Sequence, residues 1–356
     1  MMWASPSKPG SRRRKGKAPA SAATGRRRGS SSNRAASPCS ISRSSRMICM
    51  TSRSPRFRFV AEESMIEISR QKPKFRFAPS PNGPLHLGHA LSAILNHDMA
   101  AKAGGDFLLR IEDIDQTRCT PDFEKGIYTD LSWLGLRWQE PVRRQSEHFP
   151  AYQEALQTLI ERGLVYPAFL TRGEVKARVA AFGANSESWQ RDPDGTPLYP
   201  SDDRERSAAE RQRLLASGMK HAWRLDMEKA RAAGGPLHWQ ESGDGETGVI
   251  SADPAAWGDV VLSRSDAPSS YHLSVVVDDA VQGITNVVRG LDLFHATSIH
   301  RLLQTLLGLP EPLYHHHRLL LGSDGKKLSK SMGDTGIAEW RRQGLSPAEL
   351  RRRIGL

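Results

Sequence analysis

The 356-residue sequence predicts an α/β protein, a parallel sheet covered by helices with an inserted α+β subdomain, and three observations carry that expectation. Strand and helix patterns alternate from residue 74 onward, which is how right-handed crossovers over a parallel sheet read in a sequence. A polar stretch rich in Gly, Pro and Asp breaks the rhythm over residues 170–255 and reads as the insertion. Buried-strand patterns then return, so residues 71–169 and 256–334 are expected to form the two halves of one domain, with a short helical remnant at 335–356.

The first strand, Lys74-Phe75-Arg76-Phe77-Ala78, is stopped by the loop Pro79-Ser80-Pro81-Asn82-Gly83-Pro84. A helix follows, with Leu87, Leu91, Ile94, Leu95 and Met99 at three-to-four spacing and Gly104-Gly105 at its end. Residues 107–111 read as a short buried strand that runs into the acids Glu112, Asp113 and Asp115. Thr120 and Pro121 form an N-cap and first-turn pair for a helix carrying Phe123, Ile127, Leu131 and Leu134 on one face. Another helix is expected over 150–162, with Tyr152, Leu156, Leu159 and Ile160 inward, and one within the insertion over 203–216. Strands are then expected at 258–263, 272–277 and 284–289, a helix at 293–307, a strand at 314–321 and a loop at 322–334.

The formal charge of +12 is unevenly spread. Residues 1–70 hold 16 Lys and Arg against Glu62, Glu63 and Glu67, so the remaining 286 residues carry 35 basic and 36 acidic side chains. That Ser/Arg-rich segment has few large apolar residues and no periodicity, and is expected to be disordered. It reads as a nucleic-acid-binding arm, as a transit-like segment, or as upstream sequence if translation starts at Met47, Met50 or Met65. No apolar stretch fits a secretory signal or a bilayer span, so neither secretion nor membrane insertion is expected. Cys119 alone among the three cysteines lies outside Cys39 and Cys49 of the tail, which excludes a disulfide framework and suits a reducing compartment, the cytoplasm.

Two strings carry chemistry. His86-Leu87-Gly88-His89 sits where the proline-rich loop becomes a helix, so both imidazoles fall on the first turn, where free N–H groups and the helix dipole favour an anion. The second string is Gly322-Ser323-Asp324-Gly325-Lys326-Lys327-Leu328-Ser329-Lys330-Ser331, a cationic clamp suited to a polyphosphate. Its glycines are three apart and Lys326 is followed by Lys327, which rejects a P-loop. Taken singly, the first also suits a capped histidine pair and the second a solvated basic turn.

Together and in this order, the strings resemble the paired signatures of class I aminoacyl-tRNA synthetases. Arg76-Phe77-Ala78-Pro79-Ser80-Pro81-Asn82-Gly83, Arg110-Ile111-Glu112-Asp113, Tyr271-His272-Leu273, Val277-Asp278-Asp279 and Val288-Arg289-Gly290 resemble the glutamyl branch, with coverage of about residues 74–331. Only 25 residues follow Ser331, too few for an anticodon-binding domain. The expectation is therefore the shortened glutamyl-Q members of that branch, which activate glutamate with ATP and attach it to the queuosine base in the anticodon loop of tRNA(Asp). Residues 259–264 and 276–283 also look closer to that group.

The resemblance implies the Rossmann-like sheet of the class I catalytic domain, with ATP and Mg²⁺ required. It assigns catalysis to His86, His89, Lys327 and Lys330, and ATP binding to His86, Gly88, His89 and Lys330. It assigns glutamate to Arg76, Phe77, Ala78, Pro79, Ser80, Glu112, Tyr271 and Arg289. Glu112 suits the ammonium, and the two arginines suit carboxylates. The implied partners are L-glutamate and queuosine-containing tRNA(Asp), with no membrane, and a monomer is expected. A conventional glutamyl-tRNA synthetase cut short and an inactive synthetase-like RNA-binding protein are the alternatives.

One departure stands out. Family members often hold zinc with three cysteines and a tyrosine in the insertion, but the matching positions here are Ala168, Leu170, Tyr199 and Asp203, so zinc is not expected. His315-His316-His317 is expected to alternate faces in a strand and to pack near the nucleotide pocket rather than bind a metal. Trp189, Trp223 and Trp239 are candidates for stacking on unpaired bases, with core packing the competing role.

Overall fold

Alternation decides the first strand. Phe75 and Phe77 of β1 (Lys74–Phe77) are buried against one face of the sheet, and Arg76, also buried, lies on the other. A computed structural model describes residues 72–183, 188–322 and 336–356. The expected tail and the lysine string at 323–331 lie outside the described residues. After β1 come α1 (Leu87–Lys102), β2 (Asp106–Ile111), α2 (Pro121–Trp133), β3 (Gln139–Arg144), α3 (Phe149–Glu161) and β4 (Val165–Ala168). The Thr120 cap is made as expected, its hydroxyl accepting from the Phe123 amide at 3.3 Å.

The segment between β4 and the next sheet strands contains α4 (Arg172–Gly183), α5 (Asp202–Glu205), α6 (Ala208–Ala216), β5 (Ala222–Leu225) and α7 (Met227–Gly234). Then follow β6 (His238–Glu241), β7 (Gly248–Ser251), β8 (Val261–Arg264), α8 (Tyr271–Gln282), β9 (Asn286–Gly290), α9 (Thr297–Leu307), β10 (Leu313–His317), α10 (Ile337–Arg342) and α11 (Pro347–Arg353).

A seven-stranded sheet runs in the order β3-β2-β1-β9-β10-β6-β7, parallel except for the terminal β6–β7 hairpin. A separate antiparallel sheet joins β4, β5 and β8. The segment expected as one insertion therefore divides, because residues from 238 onward pair with the large sheet. Phe75, Phe77, Leu91, Ile94, Leu109 and Ile127 anchor the core on the face covered by α1 and α2. The other face packs through Tyr152, Leu159, Leu273, Val276, Ile299 and Leu303 of α3, α8 and α9. No described helix is long and apolar enough to cross a membrane.

The strand expected at 272–277 is a helix instead. Ser270 caps α8 by accepting from the Leu273 amide, and Gly283 ends it in the left-handed conformation at φ 66°. The run Leu273 to Val277 is buried throughout, and a short run buried on all sides does not reveal its period. Other boundaries shift: the 258–263 strand is β8, the 293–307 helix begins at Thr297, and the 314–321 strand stops at His317.

Candidate active site

The sheet order reverses direction between β1 and β9, and at such a switch point the carboxyl ends of parallel strands leave a crevice. A pocket of about 260 Å³ occupies it. Arg76, Phe77, Ala78, Pro79 and Ser80 from the end of β1 line it, with Glu112 after β2, Tyr271 at the start of α8, and Arg289 at the end of β9. His86, Gly88 and His89 enter from the first turn of α1. All eight residues expected around glutamate thus share one pocket with His86, Gly88 and His89 of the first string. Lys327 and Lys330 lie outside the described residues.

The start of α1 fixes the two imidazoles. The Gly88 amide donates to His86 Nδ1, and the His86 amide donates to His89 Nδ1, each at 3.1 Å. Both Nδ1 atoms accept, so in the neutral rings the proton rests on Nε2 and each histidine is an Nε2–H donor. The rings lie 3.8 Å apart between centroids. A Cβ on Gly88 would meet His86 Cε1 at 2.9 Å, so glycine is required for this ring placement.

Behind Arg76 and Glu112 stands a buried charge network. Asp279 accepts from Arg76 Nε at 3.0 Å and Nη2 at 3.3 Å, and from Arg110 Nη1 at 2.8 Å. Arg110, fully buried, also donates to Glu112 Oε1 at 3.3 Å. Asp278 accepts from Arg143 Nε at 2.7 Å, Gln145 Nε2 at 2.8 Å and the Tyr152 hydroxyl at 2.9 Å. Burial works against the Arg110 charge, yet Asp279, Asp278 and Glu112 hold its pKa above the ordinary value. Burial pushes the Glu112 carboxyl up despite Arg110 and Arg76. Arg110, Asp278 and Asp279 were not expected as site residues. The signal was present as charged side chains inside apolar runs, Arg110 in the β2 pattern and the Asp pair after Val275-Val276-Val277.

Arg289 is held differently, by His316, His300, Thr297 and the Leu293 carbonyl. The three-histidine strand alternates as expected: His316 is buried toward Arg289, and His317 lines the pocket.

A larger groove of about 1130 Å³ shares Ser80, Glu112 and Tyr271 with this pocket. Arg118, Arg172, Lys176, Arg224 and Arg264 lie along it, and Arg224 stacks over the Tyr199 ring at 3.7 Å.

The four positions aligned with a family zinc site meet around a carboxylate. Asp203 Oδ2 accepts from the Phe169 amide at 2.7 Å, the Leu170 amide at 3.1 Å and the Tyr199 hydroxyl at 2.5 Å, while Arg206 Nε donates to Oδ1 at 2.7 Å. Ala168 and Leu170 offer no ligand atoms on their side chains, so this donor set does not fit tetrahedral zinc.

The tryptophans pack. Trp239 is buried on β6 and donates to Glu241 at 3.1 Å, which removes it as a base-stacking platform. Trp189 donates to the Leu198 carbonyl at 2.9 Å, and Trp223 packs against the core.

The family model for tRNA synthetases class I (E and Q), catalytic domain, matches residues 72–356. A glutamyl-Q tRNA(Asp) synthetase of Rhodobacter capsulatus is 47% identical over 285 residues, 79% of this chain and 99% of that protein. A glutamate–tRNA ligase of Paracoccus denitrificans is 36% identical over 77% of this chain, but the match spans only 58% of that ligase. Among solved structures, a glutamate tRNA ligase from Elizabethkingia meningosepticum in complex with its amino acid superposes with a TM-score of 0.67 at 28% identity, covering 80% of this chain and 61% of the other.

Proposed function

The chain belongs to the class I tRNA synthetases of the glutamyl and glutaminyl type, and from that premise we propose that it activates L-glutamate with ATP and transfers it to the queuosine base of tRNA(Asp). The observation that carries this reading is one pocket lined by His86, His89, Arg76, Glu112, Tyr271 and Arg289 at the switch point of the sheet. The match to the glutamyl-Q relative over nearly all of its length supports queuosine-containing tRNA(Asp) as the acceptor.

A carboxylate of glutamate attacks the α-phosphorus of ATP and pyrophosphate leaves. No enzyme nucleophile is needed, because positioning and charge neutralisation supply most of the catalysis in such transfers. The Nε2–H groups of His86 and His89 donate to α-phosphate oxygens as charge develops. Lys327 and Lys330 neutralise the leaving pyrophosphate, and Mg²⁺ brought in with ATP would add to that neutralisation. Glu112 takes the ammonium. Arg76 uses Nε and Nη2 on Asp279 and keeps Nη1 for a carboxylate, and Arg289 serves the other. The groove that shares Ser80, Glu112 and Tyr271 is the route by which the acceptor nucleoside reaches the adenylate. The protein acts in the cytoplasm as a monomer.

Glutamate-dependent ATP–pyrophosphate exchange without tRNA tests the activation step. Exchange is expected with glutamate, and Lys330→Ala lowers it at least ~100-fold, the usual scale for losing one charge-stabilising donor. No exchange with glutamate would overturn the reading.

A further inference from the structure

The four hydrogen bonds of Arg289 all go to neutral acceptors. Nε donates to His316 Nε2 at 3.0 Å, Nη1 to His300 Nδ1 at 3.0 Å, and Nη2 to Thr297 Oγ1 at 2.7 Å and the Leu293 carbonyl at 3.2 Å. Arg76 and Arg110, by contrast, are bound to carboxylates. Among the described residues no carboxylate is in ion-pair contact with Arg289, although the residue is buried and lines the pocket.

An arginine N–H can only donate, so His316 Nε2 must present its lone pair and the ring proton must sit on Nδ1. Glu241 enforces that state. Its Oε2 accepts from His316 Nδ1 at 2.6 Å and from Trp239 Nε1 at 3.1 Å, and its Oε1 accepts from the amides of His316 and Gly243, each at 2.9 Å. Four donors surround the carboxylate, and all four come from β6, the turn after it, or β10. The turn is tight: a Cβ on Gly243 would meet the His316 carbonyl oxygen at 2.2 Å. Neither Glu241 nor His316 lines the pocket.

We propose that Glu241 and His316 are positioning residues for glutamate binding: the carboxylate holds the imidazole with its proton on Nδ1, and the Nε2 lone pair then aims the Arg289 guanidinium at a substrate carboxylate. The counter-charge of Arg289 sits one imidazole away on Glu241. The guanidinium is thereby stabilised in the interior without being capped by an acid of its own. The inference rests on the glutamate reading of the pocket.

Glu241→Gln tests it with a one-atom change, because the amide NH₂ must face one of the two donor pairs. If it faces Trp239 and His316 Nδ1, the ring reverses its tautomer and an N–H meets the Arg289 N–H. In pyrophosphate exchange the KM for glutamate is expected to rise at least ~10-fold, the scale of one hydrogen bond to a charged group, with the KM for ATP within about twofold. His316→Leu is expected to do the same, whereas His316→Gln, which restores an oxygen acceptor near Nε2, recovers most of the loss. Unchanged glutamate KM in both Glu241→Gln and His316→Leu overturns the proposal. The wild-type protein gives a check that needs no stable variant: with ¹⁵N-labelled histidine, the resonances lost in His316→Gln, or assigned through the backbone if that variant does not fold, should report a protonated Nδ1 and a bare Nε2. A protonated Nε2 overturns it. A wild-type protein without glutamate-dependent exchange would instead remove the functional reading, and the histidine spectrum would still report the tautomer.

Discussion

Buried arginines do two kinds of work in this protein. Arg110 is held by Asp279, Asp278 and Glu112, and the group acts as a fixed post to which Arg76 and Glu112 are tied. Arg289 is bound by neutral rings that must themselves stay neutral. Burial, with Arg289 second, pushes His272 down to about 4, and burial holds His316 at about 4 although Glu241 pulls the other way. His300 is driven well down by the same causes. A histidine with a folded pKa below its unfolded value binds its proton first in the unfolded chain. Its stabilisation is present above pH ~6.5 and is lost as pH falls from there toward 4. For His272 alone the shift corresponds to about 3 kcal/mol. Denaturant melts should therefore show stability falling between pH 6.5 and 4.5, and a flat profile over that range would contradict the neutral-ring description. At this scale the sequence was legible for residues in short motifs. His316 and Glu241 are 75 positions apart and meet only because β6 and β10 are neighbours, a pairing no local pattern announces.

At the scale of elements, a signal was legible where a cap or a stop accompanied the periodicity. Thr120-Pro121 marks the start of α2, and Gly104-Gly105 the end of α1. The α8 run misled because Val275, Val276 and Val277 favour strands locally, while packing against α3 and α9 buries all sides of a helix. β3 and β6 escaped notice because both are polar, Gln139, Glu140, Arg143 and Arg144 in the first and His238, Gln240 and Glu241 in the second. The connection around β4 illustrates a chemical substitution that the sequence did indicate in part: three missing thiolates argued against zinc, but Asp203 as the organising centre became visible only when two backbone amides and Tyr199 were found on one oxygen. Asp203→Ala takes the acceptor from the Phe169 amide and the Tyr199 hydroxyl, while the Leu170 amide keeps Tyr199 Oη at 3.2 Å, and is expected to cost about 3 kcal/mol, at 1–3 kcal/mol for each buried donor orphaned. Chelators should leave the wild-type melting temperature unchanged. A melting temperature that drops on chelation, or an Asp203→Ala variant as stable as wild type, would refute the carboxylate-centred account.

For the whole molecule, the formal charge of +12 has a source unrelated to the pocket. The excess lies within residues 1–70, and the rest of the chain is close to neutral. A chain beginning at Met65 is expected to keep its charging activity, and loss of activity in it would make the basic segment a functional arm. The parallel sheet was legible in the alternation of strand and helix patterns, whereas the switch point was not: residues from β1, β2, α8 and β9 reach one place only in this topology. The acceptor separates the two kinds of relative, since this chain matches the glutamyl-Q relative over 99% of that protein and the glutamate–tRNA ligase over 58% of its length. The most direct measurement is transfer of radiolabelled glutamate to purified tRNA(Asp) with and without queuosine, with tRNA(Glu) alongside. The account predicts label on queuosine-containing tRNA(Asp) alone. Efficient charging of tRNA(Glu), or equal charging of tRNA(Asp) lacking queuosine, would contradict it.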